Sequence, residues 1–318
     1  MTSLLTSMLF VPAGDERKLA KVPLLRAPSL ILDLEDAVAV ARKPAARANV
    51  GRLLRETATS TPLYVRVNAD SPDACLADLQ EIVAPCLAGV VLPKVGSPRD
   101  VHVVDWALTA LERRSGLTPG SIRLMPTIES VAGILAAREI AGSSRRIECL
   151  IFGAGDFSLD AGLDWPAEGG VGSLLVEAKH RLVLASRAAG IAPPHDGAYP
   201  MFRDLDGLRR EAAQARDLGM FGKHAIHPDQ VAVIDEVFLP SEAQLAHART
   251  VVDAFEASER GGVGNIDVDG QFIDYPVAHR ARALLAMAGQ LEAAKQAAVQ
   301  QASAQQTRGA RETEASDA

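Results

Sequence analysis

The chain has 318 residues, of which 48% are hydrophobic and 23% are charged, and its formal net charge is -7. This composition is typical of a globular protein that buries a sizeable core, and the length suffices for one large barrel domain or two ordinary domains. The negative charge argues against nucleic acid as a partner, because binding to phosphate backbones requires a basic surface.

The amino terminus and the cysteines favour a cytoplasmic location. Residues 1–11 are largely apolar, but they lack the basic segment and the cleavage site of a signal peptide. No apolar stretch approaches the roughly 20 residues that a membrane span requires, so we expect no membrane partner. Cys75, Cys86 and Cys149 form no CxxC pair and are odd in number, which argues against a disulfide framework and fits a reducing cytosol.

Short apolar runs recur along the chain and are separated by stretches long enough for a helix and a loop. The runs cover residues 8–12, 30–34, 63–67, 89–93, 123–128, 149–153, 191–194 and 222–226. This rhythm indicates βα units and a parallel sheet, and eight such units predict an α/β fold of the (β/α)8 TIM-barrel type. An open doubly wound sheet is the alternative, because periodicity does not count strands. In a barrel, reactive groups gather at the carboxyl ends of the strands.

The alternation ends near residue 228, and a different kind of sequence follows. The pattern predicts a helix over residues 241–259, a hairpin over 266–273 and a helix that begins at Pro276. We therefore assign residues 1–236 to a TIM-barrel catalytic domain and 237–288 to a C-terminal extension. Residues 289–318 contain almost no large apolar side chain, and we expect a disordered tail there because burial cannot offset the entropy of ordering.

Two carboxylates, Glu129 and Asp156, follow neighbouring predicted strands. In a parallel barrel they would lie side by side at the mouth, which suits a hard cation such as Mg²⁺, usually held by one or two carboxylates. Without a cation, one of the two would tend to protonate. The alternative is that each carboxylate caps a helix, since both precede plausible helix starts.

Arg66 interrupts the alternating pattern of the third run with a cation that would point into the barrel. A buried guanidinium needs an anion. The structural partner would be Asp33 or Asp36 on the neighbouring strand, and the functional partner would be a substrate carboxylate or an enolate oxygen. Both can hold together, because an acidic neighbour can aim the arginine at its target.

Asp274 and the segment 153–155 are ambiguous by themselves. An Asp two residues before a proline is most often a helix cap. The Gly-Ala-Gly segment lacks the spacing of a dinucleotide fingerprint. We expect its exposed backbone N–H groups, at Ala154 and Gly155, to bind a carboxylate.

These segments, in this order, resemble the citrate lyase β-subunit family within the HpcH/HpaI aldolase superfamily, which includes malyl-CoA and citramalyl-CoA lyases. The similarity covers nearly everything before the tail. It is carried by residues 9–12 (LFVP), 31–38 (ILDLEDAV), 65–68 (VRVN), 92–94 (LPK), 128–130 (IES), 153–157 (GAGDF), 225–228 (AIHP) and 270–274 (GQFID).

The resemblance implies a role for most of the residues singled out above. Glu129 and Asp156 would be the protein ligands of a catalytic Mg²⁺, with Mn²⁺ as a substitute, and Arg66 would stabilise a thioester enolate. Asp274 would be the acid/base, on a lid that reaches the active site of the adjacent subunit in a homotrimer or a dimer of trimers. The residues expected to orient the arginine and the metal's waters are Asp33, Glu35 and Asp36.

The resemblance also implies coenzyme A as part of the substrate, with candidate contacts at Phe10, Pro12, Lys18, Ile226, His227 and Pro228. Two departures from the family pattern stand out. Relatives often carry arginines where this chain has Thr6 and Ser7, so that Lys18 or Arg17 would have to bind the nucleotide phosphates. His224 stands where the family usually has an apolar or aromatic residue, and we do not interpret it as a ligand.

The resulting hypothesis is an enzyme that cleaves a 3-hydroxy-3-carboxyacyl-CoA of the malyl-CoA or citramalyl-CoA type into a 2-oxo acid and acetyl-CoA. The partners would be small molecules. The alternatives are a malyl-CoA-type thioesterase, a 2-oxo acid aldolase that does not use coenzyme A, and a β-subunit that works only inside a multi-subunit citrate lyase.

Overall fold

The computed structural model describes residues 5–57, 59–164 and 172–292. The chain divides into two compact units, of which the first ends at Phe238 and the second begins at Leu239. Within the described residues, no helix is both long enough and apolar enough to span a membrane.

The first unit alternates strands and helices. Its strands are β1 (Ser7–Pro12), β2 (Ser29–Asp33), β3 (Leu63–Arg66), β4 (Leu87–Leu92), β5 (Arg123–Ile128), β6 (Ile151–Phe152) and β7 (Lys223–Ala225). Its helices are α1 (Glu16–Leu19), α2 (Lys43–Glu56), α3 (Pro72–Ile82), α4 (Pro98–Arg114), α5 (Val131–Leu135), α6 (Ala137–Ala141), α7 (Ala154–Asp160), α8 (Ser173–Ala189), α9 (Leu205–Asp217) and α10 (Pro228–Phe238). Two short 3₁₀ helices cover Val22–Leu24 and Val40–Arg42.

The seven strands form one sheet in the order β6-β5-β4-β3-β2-β1-β7, and every pairing is parallel. Successive side chains of a strand face opposite sides of the sheet. On β1, Leu9 and Val11 pack in the large cluster that includes helix residues, whereas Met8 belongs to a smaller cluster with Ile31 and Tyr64 from the next strands. Both faces are therefore buried, which explains the nearly continuous apolar runs. An α/β fold with a curled parallel sheet is confirmed.

The predicted seventh strand, over residues 191–194, is wrong. The parallel bridges form just after it, between His195 and Ile151 of β6 and between Asp196 and Lys223 of β7. Pro193 and Pro194 have no backbone N–H, so they cannot donate to a neighbouring strand. His195 N donates to the Leu150 carbonyl at 2.9 Å, and His224 N donates to the Asp196 carbonyl at 3.0 Å. The segment thus contacts both edge strands of the sheet.

A buried ion network fixes this bridging segment. The Asp196 carboxylate, 1% exposed, lies 2.9 Å from Lys179 Nζ of α8 and 2.6 Å from Lys223 Nζ of β7. Lys223 Nζ also lies 2.6 Å from Glu211 Oε1 of α9. Burial by itself would raise the pKa of Asp196, but the two ammonium groups outweigh burial and lower that pKa to about 2. Asp196 and Glu211 together therefore join α8 and α9 to β7.

The substitution Asp196→Asn should lower the free energy of unfolding by about 3–5 kcal/mol, because it leaves the buried ammonium of Lys179 without its anion and that of Lys223 with Glu211 alone. Denaturant unfolding followed by circular dichroism measures the change. Asp217→Asn is the matched control, since Asp217 pairs with Arg216 on the surface and such pairs contribute about 0–1 kcal/mol. Equal losses in the two variants would show that the network does not stabilise the fold.

The second unit contains α11 (Glu242–Arg260), the antiparallel hairpin of β8 (Ile266–Val268) and β9 (Gln271–Ile273), and a helix α12 over residues 275–292. The predicted helix and hairpin are confirmed. Asp269 and Gly270 turn the hairpin with φ of 52° and 81°, the left-handed values that a tight turn requires. Phe255 and Ile273 are fully buried in this unit's own core. Residues 293–318 of the predicted tail lie outside the described residues.

Candidate active site

A cavity of about 220 Å³ opens at the carboxyl ends of the strands in the first unit. Its wall is formed by Phe10, Arg66, Thr127, Glu129, Ile151, Phe152, Gly153, Ala154, Gly155, Asp156, Gly197, Ala198 and His224. The structure thus brings together the two carboxylates, the arginine and the backbone segment that the sequence had placed at the mouth. Parallel strands end at the same edge of a sheet, so residues distant in sequence meet there.

Glu129 follows β5 and is 7% exposed. Its Oε1 accepts a hydrogen bond from the backbone N–H of Lys94 at 2.6 Å. Burial, opposed by that hydrogen bond and reinforced by the charges of Asp156 and Glu35, raises the pKa of Glu129 to about 8. This carboxyl lies in an environment that disfavours its negative charge.

Gly153 permits this position of Glu129. A Cβ atom at residue 153 would lie 2.4 Å from Glu129 Oε2 and 2.5 Å from its Cβ. Such distances are far below van der Waals contact, so a side chain at residue 153 would displace the carboxylate.

Asp156 lies in the first turn of α7, and its side chain is exposed in the wall of the cavity. Neither carboxylate caps a helix. Ser130 caps α5 by accepting from Gly133 N at 3.1 Å, and Gly153 precedes α7 without a side-chain cap. The alternative that explained both residues as caps is therefore not what the structure has.

The pair fits a magnesium ion. Mg²⁺ takes oxygen ligands, keeps several waters and needs only one or two protein carboxylates. A divalent cation would reverse the conditions that raise the pKa of Glu129, because it stabilises the ionised form. Among the described residues, no group of three or more His, Cys, Asp or Glu side chains forms a metal cluster.

Arg66 is held on one side by acidic neighbours. Its Nε and Nη2 donate to the two carboxylate oxygens of Asp33, each at 2.7 Å, and its Nη1 lies 3.1 Å from Glu35 Oε2. Asp36 is more distant, at 3.9 Å. Burial opposes the charged guanidinium, but these carboxylates outweigh burial and raise the pKa of Arg66 above its ordinary value. The arginine is therefore a fixed cation beside Glu129, stacked over the Phe10 ring at 4.8 Å.

Lys94 belongs to this cluster, although sequence reasoning gave it no role. Its backbone has a φ of 56°, which is rare for a residue with a side chain. In this conformation its N–H reaches Glu129 while its Nζ lies 2.8 Å from Glu35 Oε1. The hydrogen bond to Glu35 raises the pKa of Lys94. The signal available in the sequence was a cation directly after Pro93, at the end of a strand.

His224 and Phe10 form part of the cavity wall. They lie on β7 and β1, at the other end of the strand order from β5 and β6, which precede Glu129 and Asp156. The imidazole of His224, on β7, meets the Phe10 ring edge to face with 5.4 Å between centroids. This position of His224 is not readable from the sequence, because β7 has only three residues, all of them buried, and shows no alternation that would distinguish an inward side chain from an outward one.

The candidate contacts for coenzyme A are spread over several elements. Pro12 ends β1, Lys18 is exposed on α1, and Ile226 and Pro228 are exposed after β7. The His227 ring stacks on Phe202 with 5.5 Å between centroids. None of these positions by itself tests nucleotide binding, and their role stays a prediction.

Thr6 and Ser7, at the start of β1, have a partner of their own. Their hydroxyls donate to Asp235 Oδ1 of α10 at 2.5 and 2.8 Å, and both residues are buried. These side chains fasten a strand to a helix.

Asp274 lies in the second unit, between β9 and α12. Its Oδ1 accepts a hydrogen bond from the backbone N–H of Val277 at 3.2 Å. This is the capping contact that the sequence alone suggested. A cap does not preclude chemistry, and the acid/base role of Asp274 stays a prediction.

The raised pKa of Glu129 has a measurable consequence for the metal-free protein. Between about pH 4.5 and 8 the carboxyl is ionised in the unfolded chain but protonated in the folded protein, so the free energy of unfolding should fall as pH rises through this window. Glu129→Gln, which keeps the shape of the protonated acid, should match the wild type at pH 5 and exceed its melting temperature at pH 9. Thermal unfolding in the presence of a chelator checks this, and parallel pH profiles for the two proteins would contradict it.

Comparisons with known proteins agree with this geometry. The family model described as HpcH/HpaI aldolase/citrate lyase matches residues 6–228. A citrate lyase subunit beta from Haemophilus influenzae is 33% identical over 285 residues, covering 88% of this chain and 95% of the relative. An L-malyl-CoA/beta-methylmalyl-CoA lyase from Cereibacter sphaeroides is 35% identical over 304 residues, covering 90% of this chain and 95% of the relative.

A solved structure extends the similarity to the fold. The protein CitE from Mycobacterium tuberculosis, in complex with magnesium, acetoacetate and coenzyme A, superimposes with a TM-score of 0.73 at 28% sequence identity. The match covers 91% of this chain and 100% of the other.

Proposed function

This chain belongs to the HpcH/HpaI aldolase/citrate lyase family, and we propose that it is a magnesium-dependent carbon–carbon lyase acting on a coenzyme A thioester. The substrate class is a 3-hydroxy-3-carboxyacyl-CoA, of the malyl-CoA or citramalyl-CoA type, which yields a 2-oxo acid and acetyl-CoA. The observation that carries the proposal is the buried Glu129 carboxylate beside Asp156 and Arg66 in one cavity.

The relatives support the ligands as well as the reaction. The Mycobacterium tuberculosis structure contains magnesium and coenzyme A, and a further structure of a citrate lyase beta subunit from that organism contains oxaloacetate and magnesium. The Cereibacter sphaeroides relative is named as a lyase of two acyl-CoA substrates. We carry magnesium and coenzyme A over to this chain on that basis, together with the carboxylate pair described above.

Glu129 and Asp156 would hold the metal, with Mn²⁺ able to replace Mg²⁺ because both take oxygen ligands. When bound, the metal supplies Lewis acidity to the substrate's hydroxyl and carboxylate oxygens. The backbone N–H groups of Ala154 and Gly155 line the same cavity and would bind the carboxylate. These contacts would orient the bond that breaks.

Arg66 would stabilise the negative charge that develops on the thioester oxygen. As the hydroxyl gives its proton to water, its oxygen forms the new ketone, the adjacent carbon–carbon bond breaks and the electron pair of that bond passes to the thioester as an enolate. A fixed guanidinium near that oxygen needs no reorganisation during the step, and Asp33 and Glu35 provide the fixation. Asp274 would then protonate the enolate carbon, or remove that proton in the condensation direction.

Glu129→Gln and Asp156→Asn should each reduce magnesium-dependent cleavage by at least about 100-fold, since even residues that merely orient metal ligands cost about 10–100-fold when removed. Thiol release and 2-oxo acid trapping measure turnover of malyl-CoA and citramalyl-CoA. Asp160→Asn is the matched control, because Asp160 lies one turn further along α7 and bonds Val131 N at 2.7 Å. Full activity of the wild type after chelation would contradict the metal's role.

The same assay separates the alternatives. Free malate without glyoxylate would identify a thioesterase, and turnover of 2-oxo acid substrates without coenzyme A would identify a simple aldolase. The relatives named citrate lyase subunit beta favour a chain that works with partner subunits, and activity of the purified chain on an acyl-CoA would exclude that dependence. The substrate itself has to be measured, because one methyl group in a pocket changes specificity by only about 1–3 kcal/mol.

We also propose that Asp274 acts from a lid on the active site of an adjacent subunit in a homotrimer or a dimer of trimers. Asp274→Asn should lose turnover and keep ligand affinity, because the amide retains the cap to Val277 N and loses proton transfer. Steady-state kinetics and calorimetric binding of coenzyme A check this. The control is Asp269→Asn, which should remain active. Asp269 lies in the turn of the β8–β9 hairpin that directly precedes Asp274.

Mixing the two kinds of inactive subunit tests the adjacent-subunit role directly. When Asp274→Asn and Glu129→Gln chains are unfolded and refolded together, some active sites would combine an intact metal pair with an intact Asp274 from the neighbour. Activity should then return to a fraction of the wild-type level. A mixture that remains inactive, while sedimentation shows mixed oligomers, would place Asp274 in its own subunit's site or outside catalysis.

The proposal includes a closed (β/α)8 barrel and a cytoplasmic location. The contacts of residues 195 and 196 with both edge strands support closure at the seventh position, between β6 and β7. The free thiols of Cys75, Cys86 and Cys149 support a reducing compartment.

A further inference from the structure

His224 is a buried polar side chain that the proposed mechanism does not use. It lies on β7 between Lys223 and Ala225. The Lys223 ammonium binds Asp196 and Glu211 on the side of the sheet that α8 and α9 cover. Because side chains alternate along a strand, His224 faces the opposite side of the sheet. There it is 3% exposed and forms part of the cavity wall beside Phe10 and Arg66.

The imidazole has unused hydrogen-bonding capacity. Its Nε2 atom is buried and has no hydrogen-bond partner among the described residues. Burial, reinforced by His195 and the positive charge of Arg66, lowers the pKa of His224 well below its ordinary value. The ring is therefore neutral and offers one N–H donor and one acceptor nitrogen. A buried polar atom without a partner is costly to fold, so its presence in a cavity wall points to a ligand group.

The neighbours of His224 limit which ligand group this is. Phe10 contacts the ring edge to face and offers no hydrogen bond, and three of the Arg66 nitrogens already face Asp33 and Glu35. Gly197 and Ala198 complete this part of the wall without polar side chains. A single oxygen atom on a small substituent would therefore meet His224 in an otherwise apolar corner.

The two halves of the substrate differ in what they bring to this corner. In the proposed function, the half that becomes the 2-oxo acid is held by its carboxylate and hydroxyl oxygens at the metal that Glu129 and Asp156 would bind. The thioester oxygen is assigned to Arg66, so the substituent on the hydroxyl-bearing carbon is the part of the reacting centre that remains to contact His224.

We propose that His224 is a specificity-determining residue whose imidazole hydrogen-bonds an oxygen on the side chain of the 2-oxo acid half of the substrate. The preferred 2-oxo acid then carries a hydroxyl group where a simple alkyl group would leave the imidazole unpartnered. This inference rests on the proposed lyase function and extends it to the substrate class.

Hydroxypyruvate and 2-oxobutyrate test the inference, because they have the same number of heavy atoms and differ by a hydroxyl against a methyl group. In the presence of Mg²⁺, calorimetry should show that the wild type binds hydroxypyruvate at least about 10-fold more tightly, as expected of a site that hydrogen-bonds a substrate hydroxyl. His224→Phe, which keeps a ring and removes the nitrogens, should abolish the preference. His224→Gln, which restores an amide near the Nε2 position, should recover part of it.

His102→Gln is the matched control. His102 is an exposed histidine of α4 outside the cavity wall, and its Nε2 lies 3.1 Å from the Ser143 carbonyl oxygen. The control should keep the preference for hydroxypyruvate even if its melting temperature changes. Histidine ¹⁵N spectra supply a second readout, since the His224 ring nitrogen should shift when hydroxypyruvate is added and should not shift with 2-oxobutyrate.

The outcomes separate this inference from the proposed function. Equal affinities for the two acids in the wild type, or an unchanged preference in His224→Phe, would overturn the role of His224 while acyl-CoA cleavage stands. A preference that depends on His224, found in a protein that cleaves no acyl-CoA, would support the binding role and overturn the lyase function.

Discussion

The site depends on placing several carboxylates and their compensating cations in one buried cluster. Glu35 lies between Arg66 and Lys94, at 3.1 Å and 2.8 Å from their nitrogens, while Glu129 receives only a backbone N–H from the same lysine. The two acids accordingly differ in compensation, although burial raises the pKa of both. Arg66 and Lys94 neutralise the acids that orient the arginine. Glu129 is therefore the carboxylate that a cation from solution would neutralise.

This distribution of charge explains why the cluster holds Arg66 rigidly and still leaves Glu129 able to bind a cation. Arg66 is bound through three nitrogens and rests on the Phe10 ring, so its orientation is fixed before substrate arrives. A group that is already oriented contributes more to a charged transition state than one that must be ordered during the reaction. The buried network around Asp196 adds rigidity on the side of the sheet that the helices cover, because it fixes the segment that leads to Gly197 and Ala198 in the cavity wall.

Sequence reasoning located the mouth of the cavity because strand ends are readable from apolar runs. Glu129, Asp156 and Arg66 each follow or interrupt such a run, and the structure lines one cavity with all three. Reasoning failed where backbone conformation decides the outcome. The positive φ that turns Lys94 toward Glu129 has no signature in a proline followed by a lysine, and residues 195 and 196 form bridges through pairings that periodicity does not encode.

The family resemblance supplied what the residues alone left open. Spacing could not choose between a metal pair and two helix caps at Glu129 and Asp156, and the structure assigns the caps to other residues. For Asp274 the geometry gives a cap and no more. That residue is in a unit with its own core, and a role that depends on a second copy of the chain is not readable from one copy's sequence pattern.

The missing Cβ at residue 153 has a consequence for how this site can change. Because Glu129 fills the space that a side chain at that position would occupy, the cavity wall around Glu129 tolerates no side chain at residue 153. Widening or narrowing of the cavity would then come from other wall residues, such as Phe10 of β1 and His224 of β7. Divergence in this architecture would then alter which molecule is accepted while leaving the reaction itself untouched.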